Sequence, residues 1–239
     1  MKNYLNMSKQ VYKKLLNQKY IISVFCIIFI FCTTIFFTGC ANRFEQLVKQ
    51  NMSDMRINFF EGENDLLYAD LSCGYREQNF AYDGISTQKV ECGVLSVEFK
   101  KVYSYQSICI SLEIDGNTKD YVLERSPFEN KYMVDLEKII NNNSLISFAL
   151  KNQAEKCNLA CVSKNWKVQY DNAIKIAVDV LKDDLSKLFY NNKLNAEGYL
   201  KVVSKHDYDQ KFWYFSYIDK TGQSKSMLIN VTNGKIIKN

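Results

Sequence analysis

Apolar and polar side chains alternate one by one in Leu95-Ser96-Val97-Glu98-Phe99 and again in Ile108-Cys109-Ile110-Ser111-Leu112. A period of two marks a strand with one buried face, because successive side chains leave a strand on opposite sides. Further strand-like runs are Leu66–Cys73, Val94–Lys100, Ile108–Ile114, Lys119–Glu124 and Leu145–Leu150. Turn signals separate them: Asp83-Gly84, and Asp115-Gly116-Asn117, which reads as a hairpin. Short strands at this spacing predict an antiparallel sandwich. Asp135–Asn141 reads as a short helix or helical turn. Long helices do not alternate with the strands, which excludes a doubly wound α/β fold.

The N-terminus is set apart from this body. Ile21–Phe37 is an uncharged apolar run of 17 residues, preceded by five lysines and no acid. A basic flank followed by an apolar stretch and small residues is the layout of an export signal. Phe37-Thr38-Gly39-Cys40 resembles the bacterial lipobox, with Phe in the place of the usual Leu or Val. That resemblance implies cleavage between Gly39 and Cys40, a diacylglyceryl thioether on Cys40, and attachment to the membrane through that lipid. Two acyl chains suffice for stable anchoring. The alternative is an uncleaved membrane anchor with Cys40 incidental. Both place the body outside the cytoplasmic membrane, since positive charge stays inside.

The charge balance agrees with export. The chain has 31 Lys and Arg against 26 Asp and Glu, a net +5 that lies wholly in the N-terminal flank. Residues 40–239 are neutral, so no nucleic-acid partner is expected. The neutrality hides a division: 41–150 carries a net −6 and 151–239 a net +6. The two parts could attract each other, or the basic part could face anionic lipid or cell-wall polymer.

Five cysteines remain after the signal and Cys40: Cys73, Cys92, Cys109, Cys157 and Cys161. An odd number cannot pair fully within the chain. Buried thiols behave as small hydrophobes, and free core cysteines are the simplest reading. A Cys157–Cys161 disulfide is the alternative. Zinc needs about four Cys or His ligands, and His206 is the sole histidine, so no metal or cofactor is expected.

Towards the C-terminus the period changes. Tyr170, Ile174, Ala177, Val178, Leu181, Leu185, Leu188 and Phe189 recur at helical spacing and predict a helix over 168–191. Strands follow at Tyr199–Lys205, Lys211–Ile218, Ser224–Val231 and Lys235–Ile237, with turns at Asp219…Gly222 and Asn233-Gly234. Trp213-Tyr214-Phe215-Ser216-Tyr217, Met227-Leu228-Ile229-Asn230 and Thr232-Asn233-Gly234-Lys235-Ile236 resemble a PepSY-type domain. The resemblance implies a non-catalytic module that binds or restrains peptidases outside the cytoplasm.

The expected organisation is thus α+β: a signal over 1–39, a partly helical tether over 40–60, a β-sandwich-like domain over 61–165, and a PepSY-like helix-plus-meander domain over 166–239. Alternation sends Trp213 and Phe215 towards the helix and leaves Phe212 and Tyr214 on the other face, to be covered by the sandwich or by a partner. Tyr75 and Arg76 lie in a polar-aromatic segment that could recognise a protein or peptide. No nucleophile elbow, H-E-x-x-H, P-loop or dinucleotide fingerprint occurs. Glu61/Glu63 and Asp183/Asp184 are carboxylate pairs by proximity alone, and Glu61, Glu63 and Asp65 could bind calcium, though a solvated acidic turn is the simpler reading. No catalytic residue is assigned. The expected function is a membrane-anchored extracytoplasmic binding or regulatory module. A cell-surface hydrolase acting on envelope material is the alternative.

Overall fold

A computed structural model describes residues 43–78, 83–127, 129–151, 153, 155–191, 193–203 and 210–238. Helix α1 covers residues 43–50. Leu47–Asn239 forms one compact unit. Its strands begin with β1 (Met52–Glu63), β2 (Leu67–Glu77), β3 (Lys89–Phe99) and β4 (Ser107–Ile114). They continue with β5 (Asn117–Arg125), β6 (Tyr132–Asp135), β7 (Ile146–Leu150) and β8 (Lys156–Cys161). A 3-10 turn at Ser163–Asn165 leads to α2 (Tyr170–Val180) and α3 (Lys182–Lys187). A small hairpin, β9 (Phe189–Tyr190) and β10 (Lys193–Leu194), follows. The last strands are β11 (Ala196–Val203), β12 (Phe212–Asp219), β13 (Ser224–Asn230) and β14 (Ile236–Lys238).

The first eight strands close on themselves. Neighbours run β1-β2-β3-β6-β5-β4-β7-β8, and β8 returns to β1 through Phe60↔Cys161 and Glu61↔Ala160. Every pairing around this ring is antiparallel. The result is a closed eight-stranded barrel. Period-two side chains from each strand fill it: Phe60, Leu71, Leu95, Ile110, Leu123 and Phe148 are buried to 1% exposure or less. Eight strands enclose a space about wide enough for side chains to fill, and here they fill it. Leu136 and Ile140, from the segment after β6, join the same core.

β1 belongs to two arrangements. Its C-terminal half pairs with β8, while Met52–Met55 pairs in parallel with β11. Strands β11 to β14 continue outward as an antiparallel meander, so twelve described strands share one sheet. Helix α2 packs on one face of that extension. It turns Ala173, Ile174, Ala177 and Val178 inward, an i, i+1, i+4, i+5 stripe. Trp213 is fully buried there, donates from Nε1 to the Val168 carbonyl at 2.8 Å, and meets Trp166 edge-on at 5.2 Å between ring centres.

This architecture overturns the expected fold class. The chain is mostly β with a closed barrel, in place of an α+β pairing of a sandwich with a helix-plus-sheet domain. β1 is the reason. Residues 52–60, read as part of a tether, belong to a strand that closes the first eight strands into a ring by joining β2 to β8. Its alternation is hidden because both faces are used: Phe60 enters the barrel, while Phe59 lies outside against Trp166, 5.8 Å between ring centres. A bulge between Arg56 and Asn58 also breaks the period, which shifts the face of every later side chain. Asp135–Asn141 forms the end of β6 and a loop, not a helix, and the predicted single helix is two, interrupted at Leu181.

The five described cysteines, Cys73, Cys92, Cys109, Cys157 and Cys161, are free. Cys157 and Cys161 sit four residues apart on one strand and both are buried. At about 3.3 Å per residue their Cα atoms are about 13 Å apart, far beyond the roughly 7 Å that a disulfide can span. The Cys157–Cys161 bridge is therefore excluded.

Candidate functional site

The buried charged residues, Asp54, Arg56, Glu77 and Glu197, lie in or beside the strands where β1 passes from the barrel to the extension. Asp54 and Arg56 are only 4% and 8% exposed, although both lie on the outer wall. Two positions apart on one strand, they share a face. Arg56 grips Asp54 with both ends of its guanidinium: Nη2 donates to Oδ2 at 3.1 Å, and Nε lies 2.9 Å from Oδ1. The latter contact is ionic, without the alignment of a hydrogen bond. Lys201 of β11 brings its Nζ to 3.5 Å from Asp54 Oδ2.

Arg56 also crosses β2. It pairs with Gly74, which pairs in turn with Cys92 of β3. The missing side chain at Gly74 lets the guanidinium lie across the strand, where Nη1 donates to Cys92 Sγ at 3.1 Å and to the Ser72 carbonyl at 3.3 Å. Burial pushes the Cys92 thiol above its ordinary range, and the Arg56 charge opposes that shift. Arg76, on the same face of β2, forms an ion pair with Asp135 of β6. The chain of charges thus runs Lys201, Asp54, Arg56, then Arg76 and Asp135, from the extension onto the barrel.

A second buried acid lies at the same junction. Glu197 is fully buried and accepts the Ser53 hydroxyl at Oε2, 3.0 Å away, and the Tyr199 hydroxyl at Oε1. Glu77, 1% exposed, accepts the Thr87 amide and so ties the β2–β3 connection to the barrel wall. Lys89 donates to the Gln50 carbonyl at 2.7 Å, satisfying the end of α1. Burial lowers its pKa, with Glu77 acting against the shift.

The expected partner residues divide between two faces. Pairing aligns Ile237, Leu228, Tyr214 and Lys201 across β14, β13, β12 and β11. Phe212 lies beside Tyr214 on that face and pairs with Val203, which is 39% exposed. Phe212, Tyr214 and Arg76 are half-buried and share the outer wall with Asp54. Trp213 and Phe215 point to the helix face, as alternation predicts. Tyr75 alternates away from Arg76 to the opposite side of β2, towards Tyr170 at the start of α2. Three of the four residues therefore share one surface, and Tyr75 does not.

Three of the other candidate carboxylates, Glu61, Glu63 and Asp184, are engaged in ion pairs. Glu61 pairs with Lys211 at 2.8 Å, and Glu63 with Lys100 at 3.4 Å. Asp184 pairs with Lys225 at 2.5 Å and Lys187 at 3.5 Å. Among the described residues no group of three His, Cys, Asp or Glu side chains is placed to hold a metal ion. Gly39, Cys40 and His206 lie outside the described residues. Among the described residues no helix is long and apolar enough to cross a membrane. The sequence reading missed Asp54, Arg56, Glu197 and Lys201. The available signal was Asp54-Met55-Arg56-Ile57, a charged–apolar alternation inside a stretch read as a tether.

The outer wall thus offers a neutralised buried lattice, with Arg76, Lys201 and Tyr214 at its solvent margin. Cys92, the one thiol in contact with a cation here, is sealed at 0% exposure. Such a surface can recognise a partner through its margin. The chain matches no protein-family model, no curated protein and no solved structure.

Proposed function

We propose that the protein is a lipid-anchored extracytoplasmic module that binds or regulates a protein or peptide partner and does not itself catalyse a reaction. The observation that carries this reading is Phe37-Thr38-Gly39-Cys40 directly after the basic flank and the 17-residue apolar run. Cys40 lies seven residues before Leu47, where the compact unit begins. The PepSY-like C-terminal segment supports a restraining or binding role. The half-buried aromatic and basic margin at Phe212, Tyr214 and Arg76 supplies a surface of fitting chemistry, aromatic and Arg residues being enriched at interfaces.

The test is a Cys40→Ala variant of the full chain expressed in a bacterial host. The expected result is loss of signal processing and loss of the lipid-modified mass. Unchanged processing together with unchanged membrane retention would overturn the anchor. Crosslinking in intact cells then compares the parent with a Tyr214→Ala, Arg76→Ala double variant, and the expected result is a specific adduct that the double variant loses.

A further inference from the structure

The barrel closes unevenly. Between β5 and β6 the ladder holds two residue pairs, Glu124↔Met133 and Arg125↔Tyr132, whereas β4 and β5 share eight. Continued in the same register, Asp135 would face Val122 and Glu137 would face Asp120. Instead the chain turns away from β5. Glu137 takes a left-handed φ of 52°, and its amide donates to Asp135 Oδ1 at 2.9 Å. The Leu136 amide donates to the Gly93 carbonyl at 2.7 Å, the Ile139 amide to Glu91 at 3.1 Å, and the Asn58 side chain to the Ile140 carbonyl at 2.8 Å. These bonds tie the segment to β3 and β1. Among the described residues, Thr118–Val122 of β5 has no strand beside it on this side.

The open side presents backbone. The Arg125 amide donates to the Gln106 carbonyl at 3.0 Å, which sets the phase of the β4–β5 ladder. Lys119, Tyr121 and Leu123 therefore exchange bonds with β4, while Thr118, Asp120 and Val122 turn their amides and carbonyls to the open side. All three are exposed, Val122 to 50%. Apolar side chains flank this row on both faces. Val122 and Met133 lie on the outer face, and half-buried Tyr121 and Ile139 pack against the core on the inner one. Asp120 is engaged by the Ser111 hydroxyl at 2.6 Å and by Lys151 at 3.4 Å. Lys119, also exposed, has no acidic partner among the described residues; its Nζ lies 4.9 Å from the Tyr121 ring centre.

We propose that this edge of β5 binds an extended peptide of a partner protein as an added strand, apolar at alternate positions and with an acid opposite Lys119. An unpaired ladder gives affinity through main-chain bonds, and the flanking side chains give specificity. A second copy of this chain is a poor occupant. Antiparallel pairing about a two-fold axis brings one position against itself. Centred on Asp120 or on Lys119, it sets like charges directly opposite each other, which is destabilising. Centred on Tyr121, it runs Thr118 against Glu124, whose edge β6 already holds. The edge lies three strands round the ring from β2 and its Arg76, so binding there is independent of the outer wall and of the lipid anchor.

The experiment uses the full chain in detergent micelles and reads amide hydrogen exchange by NMR. In the free protein, Thr118, Asp120 and Val122 should exchange faster than Lys119, Tyr121 and Leu123; equal protection of all six would overturn the open edge. A displayed library of random heptapeptides is then selected on the same protein. The expected result is enriched peptides with alternating apolar residues and an acid, which bind saturably and protect the three fast amides. No enrichment, or binding that leaves those amides unprotected, would overturn the proposal. Val122→Pro removes an outward amide without touching the β4 ladder and should abolish binding. Lys119→Glu should weaken it by about fivefold. Unchanged affinity in a folded Val122→Pro protein would overturn the docking edge, and unchanged affinity in Lys119→Glu would overturn the acidic preference.

Discussion

Arg56 serves four neighbours at once: the Asp54 carboxylate, the Ser72 carbonyl, the Cys92 sulfur and, through Asp54, the Lys201 ammonium. Removing it leaves a carboxylate that is 4% exposed with only Lys201 in reach. Breaking one partner of a buried pair costs roughly 3–5 kcal/mol, because the remaining charge stays desolvated. Arg56→Ala should therefore lower stability in urea by about 3 kcal/mol. Lys201→Ala should cost about 1 kcal/mol or less, since that side chain is 39% exposed and solvent screens its charge. Equal losses in the two variants would show that Asp54 does not organise the lattice.

At the scale of the element, β1 is where sequence and structure part. Most other strands were legible, because one face of each meets the barrel core and the other meets solvent. Ile108–Ile114 and Lys119–Glu124 correspond to β4 and β5 within a residue or two. β1 has no solvent face along much of its length, and a bulge shifts its period, so its residues resemble neither a half-exposed strand nor a helix. The charged wall was illegible for the same reason: Asp54 and Arg56 become partners of Lys201 and Cys92 only once β1 is placed between β2 and β11. Close packing of β1 can be tested at two glycines. A Cβ at Gly74 would lie 1.9 Å from the Met55 carbonyl oxygen, a backbone atom that cannot move alone. A Cβ at Gly198 would lie 2.6 Å from Met52 Sδ, the end of a flexible side chain. Gly74→Ala should cost more than about 3 kcal/mol, and Gly198→Ala about 1 kcal/mol, in the same urea titration.

For the whole molecule, the acidic and basic halves of the sequence meet across β1. Lys211–Glu61 and Lys201–Asp54 join the basic extension to the acidic barrel, so the −6/+6 division reads as complementarity within one sheet. The thiols report on the barrel as a unit. Burial pushes Cys73 and Cys157 from 9.0 up to about 11. Raised folded-state values favour folding below the unfolded value of 9.0, and that contribution is lost as pH rises towards 11. The thermal midpoint should fall across this window, and Cys73→Ala should flatten the fall relative to the parent's own starting stability. Iodoacetamide at neutral pH, followed by peptide mass mapping, should modify Cys109 and spare Cys73, Cys92, Cys157 and Cys161 until the barrel opens. Early modification of Cys157 would show that the barrel breathes without unfolding.

The double membership of β1 also fixes how the molecule carries load. Its ladder bonds to β2 run across the strand axis, and Met52–Met55 is held by β11 on the other side. A pull on the chain at Met52, directed along β1, would meet those bonds in shear. Many would have to fail together, whereas a pull across the sheet would open them one at a time. The strand nearest the N-terminal segment is thus the one best placed to hold the fold together under tension.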